Sequence, residues 1–385
     1  ESVVTMDFAW STADLERQRA ARALGSELGA DIVDRDREGR LLPADWSRLA
    51  QEGMLGALLP TSMGGGGRSL MELVAELEGL GESCHDAGLL FMLSAQSFAF
   101  VAPVLEHGST HQQEQRLRAV AQGHRRGAFA MTETDSGSSA FELTTRAHRQ
   151  GGGFRLEGEK VWVSLAPVAD EALVIARTSD GSPLSSLSAF LVDLSLPGVH
   201  RGPAEDLSGL RTAPVGSLRF EDVQLSADAL LGREGAGAFV FMGAMEWERI
   251  GIMASVVGRM QSQLSRCVER ARQRRIGGKA IREHQAISHR IAEMRCRVDG
   301  ARLQLYRAAW AKTRGERMDG LSAQAKLVVS EAAVAQAVDA MRVHGALGLR
   351  RESGLERELR DAMMGLVYSG TSDIQRNLIA SSEGL

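Results

Sequence analysis

Cysteine is scarce in this chain. Only Cys84, Cys267 and Cys296 occur among 385 residues, far apart and with no CxxC or CxxH spacing. That pattern argues against a zinc site and for a reducing compartment. A basic excess is missing too: the formal net charge is −4 and the pI about 6.2. The broad electrostatic footprint of a nucleic-acid binder is therefore absent. The cluster "RARQRR" is the local exception, and its simplest reading is a solvated helix face. No apolar run reaches the ~20 residues expected of a bilayer-spanning helix. The opening "ESVVTMDFAW" has no basic segment leading into an apolar one, so no secretory leader is expected in it. A cytoplasmic location is the default expectation, without membrane insertion or nucleic-acid partners. Two catalytic fingerprints are also lacking. No GxGxxG joins a strand to a helix and no G-x-S-x-G elbow occurs, which argues against a Rossmann dinucleotide site and a serine hydrolase. His85, His284, His289 and His344 show no ligand spacing, and no metal is expected.

What is present is an ordinary globular composition, 44% hydrophobic and 24% charged. It suffices for a large core and for two or three domains. From Ser11 to about Gln122 apolar residues recur at three and four, as in "LMELVAELEGLGES", which predicts helices. "SMGGGGRS" interrupts them and predicts a mobile loop or a close backbone approach. Near Gly127 the pattern changes to short β-type runs, "FRLEGEKVWVSL", "EALVIART", "LSAFLVDL" and "GSLRFEDVQL", parted by Gly, Pro and Ser. After "LLGREGAGA" three long helical patterns follow, with a shorter one at the end. We expect an α+β multidomain chain: a helical domain over 1–126, a β-domain over 127–236 and a four-helix bundle over 237–385.

Three stretches carry chemistry. "AFAMTETDSGSSA" concentrates hydroxyl and small residues at 132–139, where N–H and O–H groups can converge on an anion. In "EKVWVSL" the period of two puts Val161, Val163 and Leu165 on one face, and Trp162 and Ser164 on the other. An indole and a hydroxyl so placed suit a planar ring. In "GAMEWERIGIMASVVG" helical spacing gives Glu248 the neighbours Phe241, Met245, Ile252 and Ser255. A carboxylate among apolar groups is either salt-bridged or raised in pKa, as a general base requires. Arg249 points about 100° away on a helix and need not neutralise it. Small residues such as Gly251 and Ser255 are candidates for opening room beside it. Glu246 has a similar setting, and spacing alone does not rank the two.

Taken in order, "GMLGALLPTSMGGGG", "GAFAMTETDSGSS", "LEGEKVWVS", "LSGLRTAPVGSLRFEDVQLSADALLGREGAG", "GKAIREHQAISHRIAEM" and "YSGTSDIQRNLIA" resemble the acyl-CoA dehydrogenase family across nearly the whole chain. The resemblance implies three domains (helical, β, helical bundle), usually four copies, and one FAD per subunit. It implies removal of the α-proton of an acyl thioester while hydride leaves the β-carbon for the flavin. Electrons would pass to an electron-transfer flavoprotein or oxygen.

By the same resemblance, Phe129, Met131 and Thr132 border the flavin ring, and Gly137 and Ser138 the pyrophosphate or thioester end. Trp162 and Ser164 lie against the ring, and Thr371 and Asp373 approach from the last turn. Arg274 and Gln285 reach the FAD of a neighbouring subunit. Ser138, Arg249, Tyr368 and Ser369 are implied in substrate binding.

Most of the family carries its glutamate base where Ser369 stands, and a serine hydroxyl cannot do that work. Branches with glycine there place the base on a bundle helix within "L-x-x-E-R". "EWERIGIMA" is similar to that pattern and selects Glu248 over Glu246. The combination also resembles flavoenzymes that oxidise prolyl groups held on peptidyl carrier proteins. CoA and carrier proteins present the same phosphopantetheine arm. Ile276 and Gly277 near the adenine, and Arg342, Ala346 and Ser381 elsewhere, depart from the family pattern. The alternatives are a flavin monooxygenase or oxidase of the same fold, or a flavin-free scaffold.

Overall fold

In the computed structural model, residues 10–318 and 320–385 are described; most of the opening stretch read for a leader, residues 1–9, lies outside them. Seven helices come first: α1 (Thr12–Glu27), α2 (Ile32–Glu38), α3 (Pro43–Gln51), α4 (Leu70–Ser83), α5 (Ala87–Ala95), α6 (Ala102–His107) and α7 (Thr110–Ala121). Ser11, Ser69 and Ser109 start α1, α4 and α7 with reciprocal side-chain caps to Asp14, Glu72 and Gln112. Each cap satisfies N–H groups that a helix start leaves without partners. A π-helical turn, Gln96–Val101, joins α5 to α6.

The run Ala87–His107 has 21 residues and is apolar enough to span a membrane, contrary to the expectation from sequence. It is a core segment instead, almost wholly buried by its neighbours. The four glycines after Met63 make a close approach rather than a loose loop. Gly66 and Gly67 donate to the Gly56 and Leu59 carbonyls, and a Cβ on Gly65 would fall 2.3 Å from Leu59.

Eight strands form one sheet: β1 (Gly127–Ala130), β2 (Arg146–Gln150), β3 (Gly153–Ser164), β4 (Glu171–Arg177), β5 (Leu187–Asp193), β6 (Val199–Arg201), β7 (Val215–Leu225) and β8 (Leu230–Leu231), with the short helix α8 (Pro183–Ser186) before β5. Their order is β6-β7-β3-β2-β4-β5-β8, with β1 parallel to β4. β4 and β5 are buried along nearly their whole length, which explains their unbroken apolar runs. β1 docks on the π turn: Gly127 N–H donates to the Gln96 side chain at 3.0 Å, and only a glycine leaves room there for the Phe100 ring.

The 37-residue helix α9 (Gly237–Gln273) leads the second helical part. A hairpin of β9 (Arg275–Ile276) and β10 (Lys279–Ala280) connects it to α10 (Gln285–Thr313), and α11 (Leu321–His344) follows. The bundle's fourth position is split into α12 (Leu355–Met364) and α13 (Ser372–Ser382), with the turn Tyr368–Thr371 at the break. Helix α4 also lies along α9. Gly81 and Gly258 let the two backbones touch, since a Cβ on either would come within 2.0 Å of a carbonyl oxygen of Ser255 or Glu78. Gly251 serves the same purpose for the Phe98 ring and opens no space for a ligand, contrary to expectation.

The loop between β6 and β7 is held from two sides. Thr212 donates to buried Asp86, itself ion-paired to Arg35 at 2.9 Å, and Leu210 N–H donates to Asp361 at 2.7 Å. All three cysteines are free; Cys84 and Cys267 are buried, with thiols pushed up to about 12 by burial, and Cys296 is exposed.

The α4–α9 contact is testable by urea unfolding. Gly258→Val should cost about 1–3 kcal/mol by overpacking. Gly300→Ala, in open space on α10, should stabilise by about 0.5–1 kcal/mol.

Candidate functional site

A cavity of about 1050 Å³ opens where the sheet, α5 with the π turn, α9 and the split fourth helix meet. Phe129, Met131 and Thr132 enter it from the end of β1, and Gly137 and Ser138 from the following loop. That loop is fixed behind the cavity by a buried pair. Lys160 Nζ lies 2.7 Å from Glu133 and donates to the Met131 carbonyl at 2.9 Å. Burial works to raise the Glu133 pKa, but Lys160 and hydrogen bonds from Thr144 and Thr145 outweigh it and hold the carboxyl well below its usual range. Phe129 stacks on Phe241 of α9, with ring centroids 6.2 Å apart, and Phe141 meets Phe241 edge-on.

Trp162 and Ser164 both face this cavity, and the Trp162 side is 59% exposed. The strict alternation expected of this strand does not hold. A β-bulge between Lys160 and Val163 gives Trp162 a φ of +57°, and Val161 also lines the cavity. A bulge re-aims a side chain in this way.

Glu248 lies on the opposite wall, half-buried, with Phe241 and Met245 beside it as helical spacing predicts. Desolvation raises its pKa to about 7, against smaller opposing effects of the Arg249 charge and the Ser369 hydroxyl. That hydroxyl is near the carboxylate but makes no aligned hydrogen bond in the protein. Arg249 acts on Glu248 through its charge without pairing to it, in keeping with the helical spacing. It lines the same cavity, and its Nε donates to the Ser369 carbonyl at 3.2 Å. The competitor Glu246 is neutralised by Lys312 at 2.8 Å. Glu248 forms no ion pair within 4 Å among the described residues, so geometry ranks the two.

Tyr368, Ser369, Gly370 and Thr371 form the third wall. Thr371 also caps α13 by accepting from Ile374 N–H. Phe91 and Tyr368, with ring centroids 5.0 Å apart, separate the main cavity from a small one lined by Ile252, Ser255, Arg259 and Asp361. Ser255 therefore lies behind the main cavity, not in it.

Three expected site residues are elsewhere. Asp373 pairs with Arg376 at 2.8 Å and its side chain is 87% exposed. Arg274 and Gln285 are exposed at the far end of α9 and the start of α10. Arg274 is 26 positions beyond Glu248, about 39 Å along a helix, and cannot reach this chain's own cavity. Sequence reasoning did not name Phe91, Leu210, Met318 or Ala323, which line the cavity, or Lys326 and Gln375, which support it. Leu210 and Gln375 fall within the quoted stretches "LSGLRTAPVGSLRFEDVQLSADALLGREGAG" and "YSGTSDIQRNLIA"; Met318, Ala323 and Lys326 carry no local signal.

The cavity fits a flavin. It holds an exposed indole, the hydroxyls of Thr132, Ser138 and Ser164, and volume for a ring system and a thioester arm together.

Acyl-CoA dehydrogenase family models match this chain over residues 12–124 (N-terminal domain), 128–223 (middle domain) and 235–383 (C-terminal domain). An L-prolyl-[peptidyl-carrier protein] dehydrogenase of Pseudomonas fluorescens is 36% identical over 336 residues, 87% of this chain and 88% of the relative. Among solved structures, the prolyl acyl carrier protein oxidase AnaB has a TM-score of 0.96 at 32% identity, covering 98% of this chain and 100% of that one. PigA with FAD and proline has a TM-score of 0.96 at 31% identity, covering 99% and 100%.

The raised carboxyl is open to direct measurement. Infrared spectra of wild type minus Glu248→Gln should show a protonated-carboxyl band that disappears as pH rises through about 7; a band lost near pH 4.5 would contradict the desolvated setting. With its bundled helices, enclosed sheet and carboxylate-bearing cavity, the chain belongs to the acyl-CoA dehydrogenase family.

Proposed function

We propose that the protein is an FAD-dependent dehydrogenase of acyl thioesters, with Glu248 as the base that removes the α-proton. The observation that carries this reading is the ion-pair-free, desolvated Glu248 carboxylate in the cavity that also presents Trp162 and Ser164. Bound FAD supplies the acceptor for the hydride that leaves the β-carbon. Phe129, Met131, Thr132, Trp162 and Ser164 hold its ring, and Gly137, Ser138 and Thr371 line the polar reaches of the cavity. The N–H of Ser369 donates to the thioester oxygen, where charge develops as the α-proton departs. Arg249 keeps the Ser369 carbonyl turned away from the substrate. Phe91 and Tyr368 exclude water from the base and close the acyl end.

The substrate class proposed is a small acyl group on a phosphopantetheine arm, above all a prolyl group on a carrier protein. Support comes from the relatives above, whose names specify carrier-bound prolyl groups or proline, and from the closed acyl end. Arg274 and Gln285 serve the FAD of a neighbouring copy in a homotetramer, and Asp373 acts at the cofactor's outer edge. The electrons leave to an electron-transfer flavoprotein or to oxygen. A same-fold monooxygenase has no use for a desolvated carboxylate, which favours the dehydrogenase.

Anaerobic bleaching of the flavin tests this function, with prolyl-carrier protein compared against CoA thioesters. Carrier-bound prolyl should bleach it fastest; no bleaching by any thioester would refute the reading. Glu248→Gln should slow the step by roughly 10²–10⁴-fold, the range for loss of a general base. The pH dependence has a definite sign. Below about 7 the carboxyl is protonated and cannot accept the α-proton. Wild-type kcat/KM should therefore fall about tenfold per pH unit on the acid side and level off above it.

A further inference from the structure

Both carbonyls of the Ser369–Gly370 segment are held by side-chain donors. Arg249 Nε and Gln375 Nε2 donate to the Ser369 oxygen at 3.2 and 3.1 Å. Gln375 Nε2 and Lys326 Nζ donate to the Gly370 oxygen, each at 2.8 Å. In a trans peptide the N–H points opposite to the carbonyl. The N–H groups of Gly370 and Thr371 are therefore directed away from these donors. Among the described residues the N–H groups of Ser369, Gly370 and Thr371 donate to no acceptor in the protein. All three residues line the cavity. Ser369 at φ +55° and Gly370 at φ +90° place the turn in left-handed backbone.

Lys326 is the unusual member of this arrangement. It is fully buried, and no carboxylate among the described residues lies within ion-pair distance of it. Its nearest charges are Arg249, which repels it, and Glu331, which attracts it but is paired to Arg376. An ammonium with only a carbonyl for company is costly to bury. A neutral donor would satisfy that carbonyl as well.

We propose that Lys326 is a positioning residue for the thioester carbonyl, its charge polarising the Ser369–Thr371 turn toward an oxygen that becomes negative during proton removal. This rests on the function proposed above. The cation does not touch the substrate; it acts through the Gly370–Thr371 peptide unit, strengthening the Thr371 N–H as a second donor beside that of Ser369. With Arg249 it makes the region behind the turn cationic, while Glu248 supplies the negative charge on the facing wall. Burial, then Arg249, pulls the Lys326 pKa down to about 8, so the group remains mostly charged at neutral pH.

The test uses FAD-loaded Lys326→Met and Lys326→Gln. Prolyl- and butyryl-pantetheine thioesters carrying ¹³C at the carbonyl are bound to anaerobically reduced protein, where no hydride can be taken up. Wild type should shift the carbonyl band to lower frequency, and both variants should lose most of that shift. Turnover should drop about tenfold or more in kcat with little change in KM, as expected when donors aimed at developing charge are weakened. A wild-type band and kcat in both variants would overturn the proposal. So would a raised KM with unchanged kcat, or wild-type behaviour of Lys326→Gln, which keeps a donor but no charge. If the methionine variant takes up no FAD, the glutamine variant decides; if neither does, Lys326 is a folding residue and the proposal fails. Failure of the underlying function would look different: wild-type flavin that no thioester bleaches.

Discussion

A single carboxylate without an ion-paired partner among the described residues sets the terms for the rest of this structure. Glu248 is held on a regular helix, among Phe241 and Met245, with a guanidinium next to it in sequence that spends its hydrogen bond elsewhere. Desolvation of the charged form raises the pKa, and Arg249 limits how far. A stronger ion pair would keep the group ionised but too weak a base. Full isolation would leave it protonated at neutral pH. The balance requires that Arg249 be occupied by the Ser369 carbonyl, and that requires the turn to stay where it is. Carboxylate, guanidinium and turn are one mechanical unit.

The larger architecture holds that unit still. Helix α9 is long enough to carry Glu248, to touch α4 through glycine contacts and to run on to the exposed Arg274. The π turn gives β1 a seat and brings Phe129 opposite Phe241. The β6–β7 loop, anchored to Asp86 on one side and Asp361 on the other, ties the sheet to both helical parts and supplies Leu210 to the cavity wall. Extra residues at turns and bends in helices and strands often mark functional positions. Here a π turn and a β-bulge both border the same space.

Much of this was legible in the sequence. The order helix, sheet, helix followed from periodicity, and the placing of Phe241 and Met245 in the cavity with Glu248 followed from the helical repeat. What was not legible depends on contacts between distant elements. Glu246 and Glu248 differ because Lys312, 66 residues away from Glu246, reaches only one of them. Gly251 looked like room for a ligand because nothing in its own helix shows that Phe98 fills the gap. The alternation around Trp162 broke because a bulge adds a residue that a period of two cannot anticipate. The apolar run at 87–107 was underestimated because small and polar residues interrupt it, although neighbouring helices enclose it. Lys326 had no signal at all: its partner is a carbonyl 44 residues later.

The left-handed backbone of Ser369 has a further implication for how such sites diverge. A side chain on that residue is strained, and a glutamate there would have to serve as base from a conformation that favours glycine. With the carboxylate carried by a neighbouring helix, the proposed proton removal and oxygen stabilisation belong to separate segments of chain. Either segment is then free to vary in sequence, so that new acyl groups can be accommodated beside the turn without rebuilding the base.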